Sequence, residues 1–281
     1  MSTPRERRFH QLDVFTDTAL RGNPLAVIHD AEGLDDATLA AMARWTNLSE
    51  TTFLLPPTDP AADYRVRIFT PGGELPFAGH PTLGSCQAWL LAGGQPKQAG
   101  EVIQQCGVGQ VRVRREGRRL AFAAPPCRIT EVEPALLASV LTALGVQAGQ
   151  VRLARWLDNG PHWLGLLLSD AATVRGLRPD HAALKALAKV GVVGPQAGGE
   201  DTDFEVRGFA APIGIEEDPV TGSLNASLAQ WLIGEGLAPT RYVAAQGSQL
   251  GRAGRVHVAQ EGDAVWIAGD VSAVIQGTVA L

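Results

Sequence analysis

The chain contains the same pattern of residues twice, at an interval of roughly 140 positions. The segment VRIFTP at residues 66–71 returns as VRGFAAP at residues 206–212, and each copy precedes a glycine-containing turn and an apolar run. The two apolar runs end in similar residues, WLL at residues 89–91 and WLI at residues 231–233. A repeat this long predicts two duplicated lobes rather than a solenoid. Such lobes usually pack about a pseudo-twofold axis, with a small-molecule site in the cleft between them.

Short strand-like segments surround one apolar helix in each predicted lobe. The central helices are predicted at residues 82–91 and 223–233, and the other helices at residues 35–45, 134–144 and 181–189. This pattern predicts an α+β fold of two pseudo-symmetric lobes, in which a curled, mostly antiparallel sheet wraps around a central helix.

The paired prolines Pro125 and Pro126 mark the predicted boundary between the lobes, because they interrupt both helix and sheet. The N-terminal lobe is expected to cover residues 1–125 and the C-terminal lobe residues 126–270. A last strand, residues 271–281, can return to the first lobe.

Composition excludes several classes of function. With 45% hydrophobic residues the chain can bury two cores, while its net charge of −5 and lack of a large basic block argue against a nucleic-acid partner. No apolar run approaches the roughly 18 residues of a membrane helix, and the first residues lack the apolar core of a signal peptide. We therefore expect a cytoplasmic protein. The three cysteines, Cys86, Cys106 and Cys127, lack metal-ligand spacing and predict buried thiols.

Two turn segments precede the central helices, GELPFAGHPT at residues 73–82 and GIEEDPVTGS at residues 214–223. A helix start offers unpaired backbone N–H groups and the positive end of the helix dipole, which favour an anion. If both starts face one cleft, Gly79, Gly222 and Ser223 are expected to bind a carboxylate of the substrate. Either turn by itself is also explained as an ordinary capped turn.

Polar side chains in and near these turns suit proton transfer. His80 lies in the first turn, and Asp218 follows Glu217 in the second. A third candidate, Glu50, follows the first predicted helix, and the corresponding region of the second lobe, residues 190–194, has no acid. Each has a plainer explanation: a structural histidine, a turn-forming aspartate before proline, and a solvated surface glutamate.

Five segments together resemble the signature segments of the phenazine biosynthesis-like (PhzF) family. They are GNP at residues 22–24, NLSETTF at residues 47–53, GHPT at residues 79–82, EDPVTGS at residues 217–223, and QG at residues 246–247 with GR at residues 251–252. They span nearly the whole chain in the order found in the family.

The resemblance implies a diaminopimelate-epimerase-like fold with the site between the lobes. It also implies an isomerase that works without cofactor or metal and shifts a proton on a small carboxylated substrate, the best-known being trans-2,3-dihydro-3-hydroxyanthranilate. The family's catalytic glutamate falls on Glu50, its histidine on His80, and its aspartate and serine on Asp218 and Ser223. Asp218 would orient His80 or contact the substrate's amine. A homodimer is expected as well.

Two other functions remain open at this point. An amino-acid racemase of the same fold needs one base on each face of the carbon, supplied in that family by a cysteine in each turn. The comparable places here hold Ala78 and the Asp218 segment, and Cys86 lies inside the predicted helix. The lobes can also be a ligand-binding module without catalytic activity.

Overall fold

In a computed structural model, which describes residues 4–281, the chain forms two compact units. The N-terminal unit runs up to Ala123 and includes Ala268–Leu281, and the C-terminal unit is Ala124–Ile267. Residues 1–3 of the predicted first lobe lie outside the described residues.

The helices and strands follow one another in short succession. The helices are α1 (Asp36–Thr46), α2 (Gly79–Leu91), α3 (Pro134–Leu144), α4 (Ala171–Gly176), α5 (His181–Lys185) and α6 (Gly222–Gly234). The strands are β1 (Glu6–Val14), β2 (Asn23–Ile28), β3 (Thr51–Leu55), β4 (Tyr64–Thr70), β5 (Gly73–Leu75), β6 (Glu101–Cys106), β7 (Gly109–Glu116), β8 (Arg119–Ala123), β9 (Arg128–Thr130), β10 (Val151–Asp158), β11 (His162–Leu168), β12 (Val190–Pro195), β13 (Phe204–Ala210), β14 (Ile215–Asp218), β15 (Arg241–Gln246), β16 (Gly254–Glu261), β17 (Ala264–Gly269) and β18 (Val271–Ala280).

The two units pair their strands in the same way. In the N-terminal unit the order is β18-β1-β2-β3-β4, after which β4 pairs with β5 over one part of its length and with β6 over another, and β6 continues to β7 and β8. In the C-terminal unit the order is β9-β10-β11-β12-β13, with β13 shared between β14 and β15, and β15 paired with β16. The parallel pairs stand at equivalent places, β2 with β3 and β4 with β6, then β11 with β12 and β13 with β15. The duplication seen in the sequence is therefore a duplication of topology, and the α+β prediction is confirmed.

Helix α2 is apolar almost all round and is buried against the sheet of its unit, where it contacts β1, β2, β3 and β8. Its small residues allow the close approach. A Cβ at Gly84 would lie 2.5 Å from Leu25 Cδ2, and Ser85 Oγ donates to Thr52 Oγ1 at 2.9 Å. Helix α6 is buried in the same manner, and Gly191 in β12 leaves the space that the Leu224 side chain occupies.

The structure corrects several predicted elements. Helix α2 begins at Gly79 instead of residue 82, because Pro81 in the first turn of a helix replaces an N–H group that has no partner there. Helix α5 ends at Lys185 instead of residue 189. The sequence patterns also missed helix α4 and the strands β5, β9, β12 and β14. Strand β12 was missed because its residues, VGVVGP, are buried on both faces and include no polar residue that would mark an alternating pattern.

Candidate active site

In the N-terminal unit, Glu50 and His80 lie side by side. Glu50 stands between the end of α1 and the start of β3, after Asn47 has reversed the chain in a left-handed conformation (φ 53°). His80 is the second residue of α2. The His80 Nε2 atom lies 3.5 Å from Glu50 Oε2, and the side chains are only 5% and 14% exposed. The predicted pair is thus brought together in a mostly buried position.

Burial sets the charge of His80. Removal of the ring from water lowers its pKa to about 3, against the opposing effect of a hydrogen bond to the backbone of Pro24. His80 is therefore neutral at physiological pH. A neutral imidazole has one donor and one acceptor nitrogen, so it can face a carboxylate or a carboxylic acid.

Two polar residues of the family segments hold this pair in place. The Asn23 amide nitrogen lies 3.5 Å from His80 Nδ1, and Ser49 Oγ donates to Asn23 Oδ1 at 3.3 Å. Ser49 immediately precedes Glu50, so the network joins the ring to the loop that carries the carboxylate. In the sequence, Asn23 and Ser49 are marked only by their place in the family segments.

In the C-terminal unit, Asp218 ends β14 and Thr221 is the N-cap of α6. Both are buried, and Thr221 Oγ1 donates to Asp218 Oδ2 at 2.5 Å, the short distance of a charge-assisted hydrogen bond. Gly222 and Ser223 follow as the first residues of α6. The structure thus places the predicted residues of the second turn together at one helix start.

Ser223 is oriented by two side chains from the β10–β11 region. The Trp163 indole N–H donates to Ser223 Oγ at 3.3 Å, and Asn159 Nδ2 donates to the Ser223 carbonyl at 3.0 Å. Lys189 Nζ lies 5.3 Å from the centre of the Trp163 ring. Nothing in the sequence pattern indicated these contacts, because more than 20 residues separate the partners.

A buried amide, Gln246, connects the parts of the second turn. Its Oε1 accepts from the Thr221 backbone N–H at 3.0 Å and from Asn225 Nδ2 at 2.8 Å. Its Nε2 donates to the Asp218 carbonyl at 3.1 Å and to Thr221 Oγ1 at 3.0 Å. In the sequence, Gln246 is marked only by its place in a family segment, so its hydrogen bonds to the second turn could not be predicted.

Glu217, the acid next to Asp218, has a different task. Its carboxylate forms a two-bond ion pair with Arg207, at 2.9 Å to Nε and 2.8 Å to Nη2. Both side chains are almost fully buried, and Arg207 Nη1 also donates to the carbonyls of Val174 and Leu177. Of the two adjacent acids, Glu217 is used in packing and Asp218 remains the candidate for chemistry.

Among residues 4–281, no three His, Cys, Asp or Glu side chains lie close enough to hold a metal ion. Nor is any helix of the described residues long and apolar enough to cross a membrane.

Comparison with known proteins agrees with this arrangement. The sequence model of the phenazine biosynthesis-like proteins matches residues 12–277. The chain belongs to this family. It is 37% identical over 261 residues to antisense-enhancing sequence 1 of Schizosaccharomyces pombe, with 88% of each chain covered. It is 32% identical to the trans-2,3-dihydro-3-hydroxyanthranilate isomerase of Pseudomonas aeruginosa, over 96% of this chain and 98% of that protein.

Solved structures show the same fold. A PhzF-family protein of Enterococcus faecalis, 26% identical, superposes with a TM-score of 0.82 and covers 99% of this chain and 100% of its own. The predicted family, the predicted fold and the prediction of an isomerase-family enzyme are thereby confirmed. The cytoplasmic location, the homodimer and the roles of individual residues stay predictions.

Proposed function

We propose that this protein is an isomerase that moves a proton from one carbon to another on a small, cyclic, carboxylated substrate. The observation that carries the proposal is the mostly buried Glu50 carboxylate beside a neutral His80. The relative named as a trans-2,3-dihydro-3-hydroxyanthranilate isomerase supports a substrate of that kind.

In the proposed reaction Glu50 acts first as base and then as acid. Its carboxylate takes a proton from a ring carbon, the electron pair of the broken C–H bond moves into the conjugated system, and the new carboxylic acid returns the proton to a different carbon. No atom or electron is gained or lost overall. His80 Nε2, the ring nitrogen that faces Glu50, can donate to the carboxylate in one neutral tautomer and accept from the carboxylic acid in the other.

The helix starts supply the binding of the substrate's carboxylate in this proposal. The Ala78 side chain has no oxygen with which to cap the start of α2, and the amides at Gly79 and at Gly222 lie at positive helix ends. Ser223 would add a hydroxyl whose orientation Trp163 fixes.

The racemase alternative is disfavoured by the position of its required thiol. Cys86 lies within α2 and is completely buried, and burial raises its pKa far above the ordinary value. It therefore stays protonated and cannot serve as a base. Ala78 holds the place in the first turn where the two-cysteine racemases carry a thiol.

A single experiment separates isomerase, racemase and binding module. The protein is incubated in ²H₂O with trans-2,3-dihydro-3-hydroxyanthranilate and with a panel of cyclic amino and hydroxy acids, and the products are followed by ¹H NMR. We expect a product with a shifted double bond, in which the newly protonated carbon carries the original proton or, where Glu50 exchanges with solvent between its two steps, deuterium. Deuterium at the α carbon with inversion would indicate a racemase, and neither conversion nor exchange in any compound that binds would indicate a binding module. Either of these results overturns the proposal.

A further inference from the structure

Gln246 uses every hydrogen-bonding position of its side-chain amide. The residue is 1% exposed at the end of β15, and its amide makes four hydrogen bonds, three to the turn before α6 and one to Asn225 within α6. A buried primary amide has two donors and two acceptor lone pairs, so no capacity is left over. The amide is therefore fixed both in place and in orientation.

The orientation of this amide follows from its two backbone partners. The Thr221 N–H can only donate and the Asp218 carbonyl can only accept, so Oε1 of Gln246 must face the first and Nε2 the second. A flipped amide would set donor against donor and acceptor against acceptor. Gln246 Nε2 must consequently be the donor to Thr221 Oγ1 as well.

The direction of the next hydrogen bond is then determined. Because Thr221 Oγ1 accepts from Gln246, its own proton points to the remaining neighbour, Asp218 Oδ2, at 2.5 Å. Oδ2 can accept this proton only if it carries none itself. A carboxylate oxygen is a stronger acceptor than the carbonyl oxygen of an acid protonated at Oδ1, so the chain of bonds from the backbone through Gln246 and Thr221 favours the ionised form of Asp218.

We propose that Gln246 is a positioning residue that holds Asp218 as a carboxylate through the Thr221 hydroxyl and confines any proton transfer by Asp218 to Oδ1. Under the proposed function, on which the catalytic meaning of this inference rests, Asp218 then serves as a fixed negative charge for a cationic group of the substrate. The proton shuttle is left to Glu50.

The equivalent turn of the N-terminal unit lacks the chain of hydrogen bonds that runs from Gln246 through Thr221 to Asp218. The fold itself therefore does not require this chain. Gly107 follows β6 and packs against Pro76. In the other unit Gly247 follows β15 and packs against Pro219. The last residues of β6 and β15 therefore occupy equivalent positions. The residue at the end of β6 is Cys106.

The first turn also lacks counterparts of Asp218 and Thr221. Counting from the matched prolines, Leu75 stands where the second turn has Asp218, and Ala78 where it has Thr221. The polar connection is therefore specific to the unit that carries Asp218.

The direct test is an NMR titration of aspartate labelled at ¹³Cγ, with the Asp218 signal identified by its loss in Asp218→Asn. We expect Thr221→Val to raise the titration midpoint of that signal by about 1 pH unit, since the ionised form loses a donor. Gln246→Met should raise it by roughly 0.5 pH unit, because the hydroxyl is then free to turn. In the double variant the midpoint should stay at the Thr221→Val value.

An unchanged midpoint in either single variant, or two shifts that simply add, would overturn the inference. Gln104→Met is the matched control: this buried amide bonds Tyr64 and Thr82 in the other unit, and its loss should leave the Asp218 signal in place. If Gln246→Met does not fold, Gln246→Asn keeps an amide but withdraws it from Thr221, and the same shift is expected.

A parallel activity measurement separates this inference from the proposed function. With trans-2,3-dihydro-3-hydroxyanthranilate, the acidic limb of the kcat/KM profile should move to higher pH in Gln246→Met and stay in place in Gln104→Met. If the parent protein converts neither this compound nor any of the cyclic amino and hydroxy acids while the NMR shifts occur, the proposed function fails and the assignment of Gln246 stands. If the parent is active and neither the limb nor the NMR midpoint moves, the assignment of Gln246 fails alone.

Discussion

The starts of α2 and α6 occupy equivalent places in the two units and yet differ in chemistry. At the start of α2, His80 is neutral and faces Glu50, and the Thr82 hydroxyl bonds Gln104 and the Ala78 carbonyl. At α6 the start is polar, and hydrogen bonds link Asp218, Thr221 and Gln246. One helix start thus accompanies a carboxyl group suited to proton transfer, and the other a carboxylate with a fixed hydrogen-bond donor.

This difference shows how the two copies of a duplicated fold can come to carry different side-chain chemistry. The backbone amides at the helix starts are common to both copies because they follow from topology, whereas the side chains around them are free to diverge. An acid that must gain and lose a proton benefits from a partner that can donate or accept. An acid that must stay charged benefits from a donor that cannot turn away.

Substitution of Glu50 tests the difference between the two helix starts most directly. We expect Glu50→Gln to lower kcat by about 100-fold to 10,000-fold with substrate binding nearly unchanged, since the amide keeps the shape but cannot accept the proton. Steady-state kinetics on the substrate found by deuterium exchange would measure this. Glu74→Gln, at an acid of the same unit that pairs with Arg67 at the surface, is the control. Activity within a few-fold of the parent in Glu50→Gln would make Asp218 the leading base.

Each unit has an arginine–glutamate ion pair at the equivalent place, and the two pairs differ in burial. They therefore allow the stability of the two turns to be compared. Arg207 and Glu217 are 5% and 8% exposed, whereas Arg67 and Glu74 are 25% and 41% exposed. Glu217→Gln should lower the free energy of unfolding by about 3 kcal/mol, because it leaves a buried guanidinium without its counter-charge. Glu74→Gln should cost about 1 kcal/mol or less. Urea unfolding measures both, and equal losses would contradict the distinction.

The smallest expected effect concerns the pH dependence of stability. Because burial lowers the pKa of His80 to about 3, the unfolded chain binds a proton there below pH 6.5 while the folded chain does not, so stability is lost as pH falls from 6.5 towards 3. His29, whose pKa burial lowers to about 4, acts in the same direction.

His80→Asn should remove its share of this dependence, at most about 2 kcal/mol between pH 7 and pH 5. Urea unfolding at the two pH values would measure it, with the exposed His162→Asn as control. A parent and a His80→Asn variant with the same pH dependence would show that the ring is accessible to protons in the folded state.

Much of the fold was readable from the sequence because it depends on local patterns. The repeat predicted two units, and apolar periodicity together with glycine stops located α1, α2, α3 and α6. Family segments pointed to Glu50, His80 and Asp218. Short elements such as β14 and α4 were not predicted, because a few residues bounded by glycine or proline carry no periodic signal.

Only the tertiary structure distinguishes the two adjacent acids of the second turn. In the sequence, Glu217 and Asp218 are adjacent carboxylates of equal promise, and only the fold shows one paired with Arg207 and the other bonded to Thr221. The same holds for Gln246, which meets Thr221 across 25 positions of the chain. The sequence determined the topology and the residue types available, because both follow from local preferences. The ionisation and orientation of each group were decided by burial and by partners distant in the chain, and these exist only once the chain has folded.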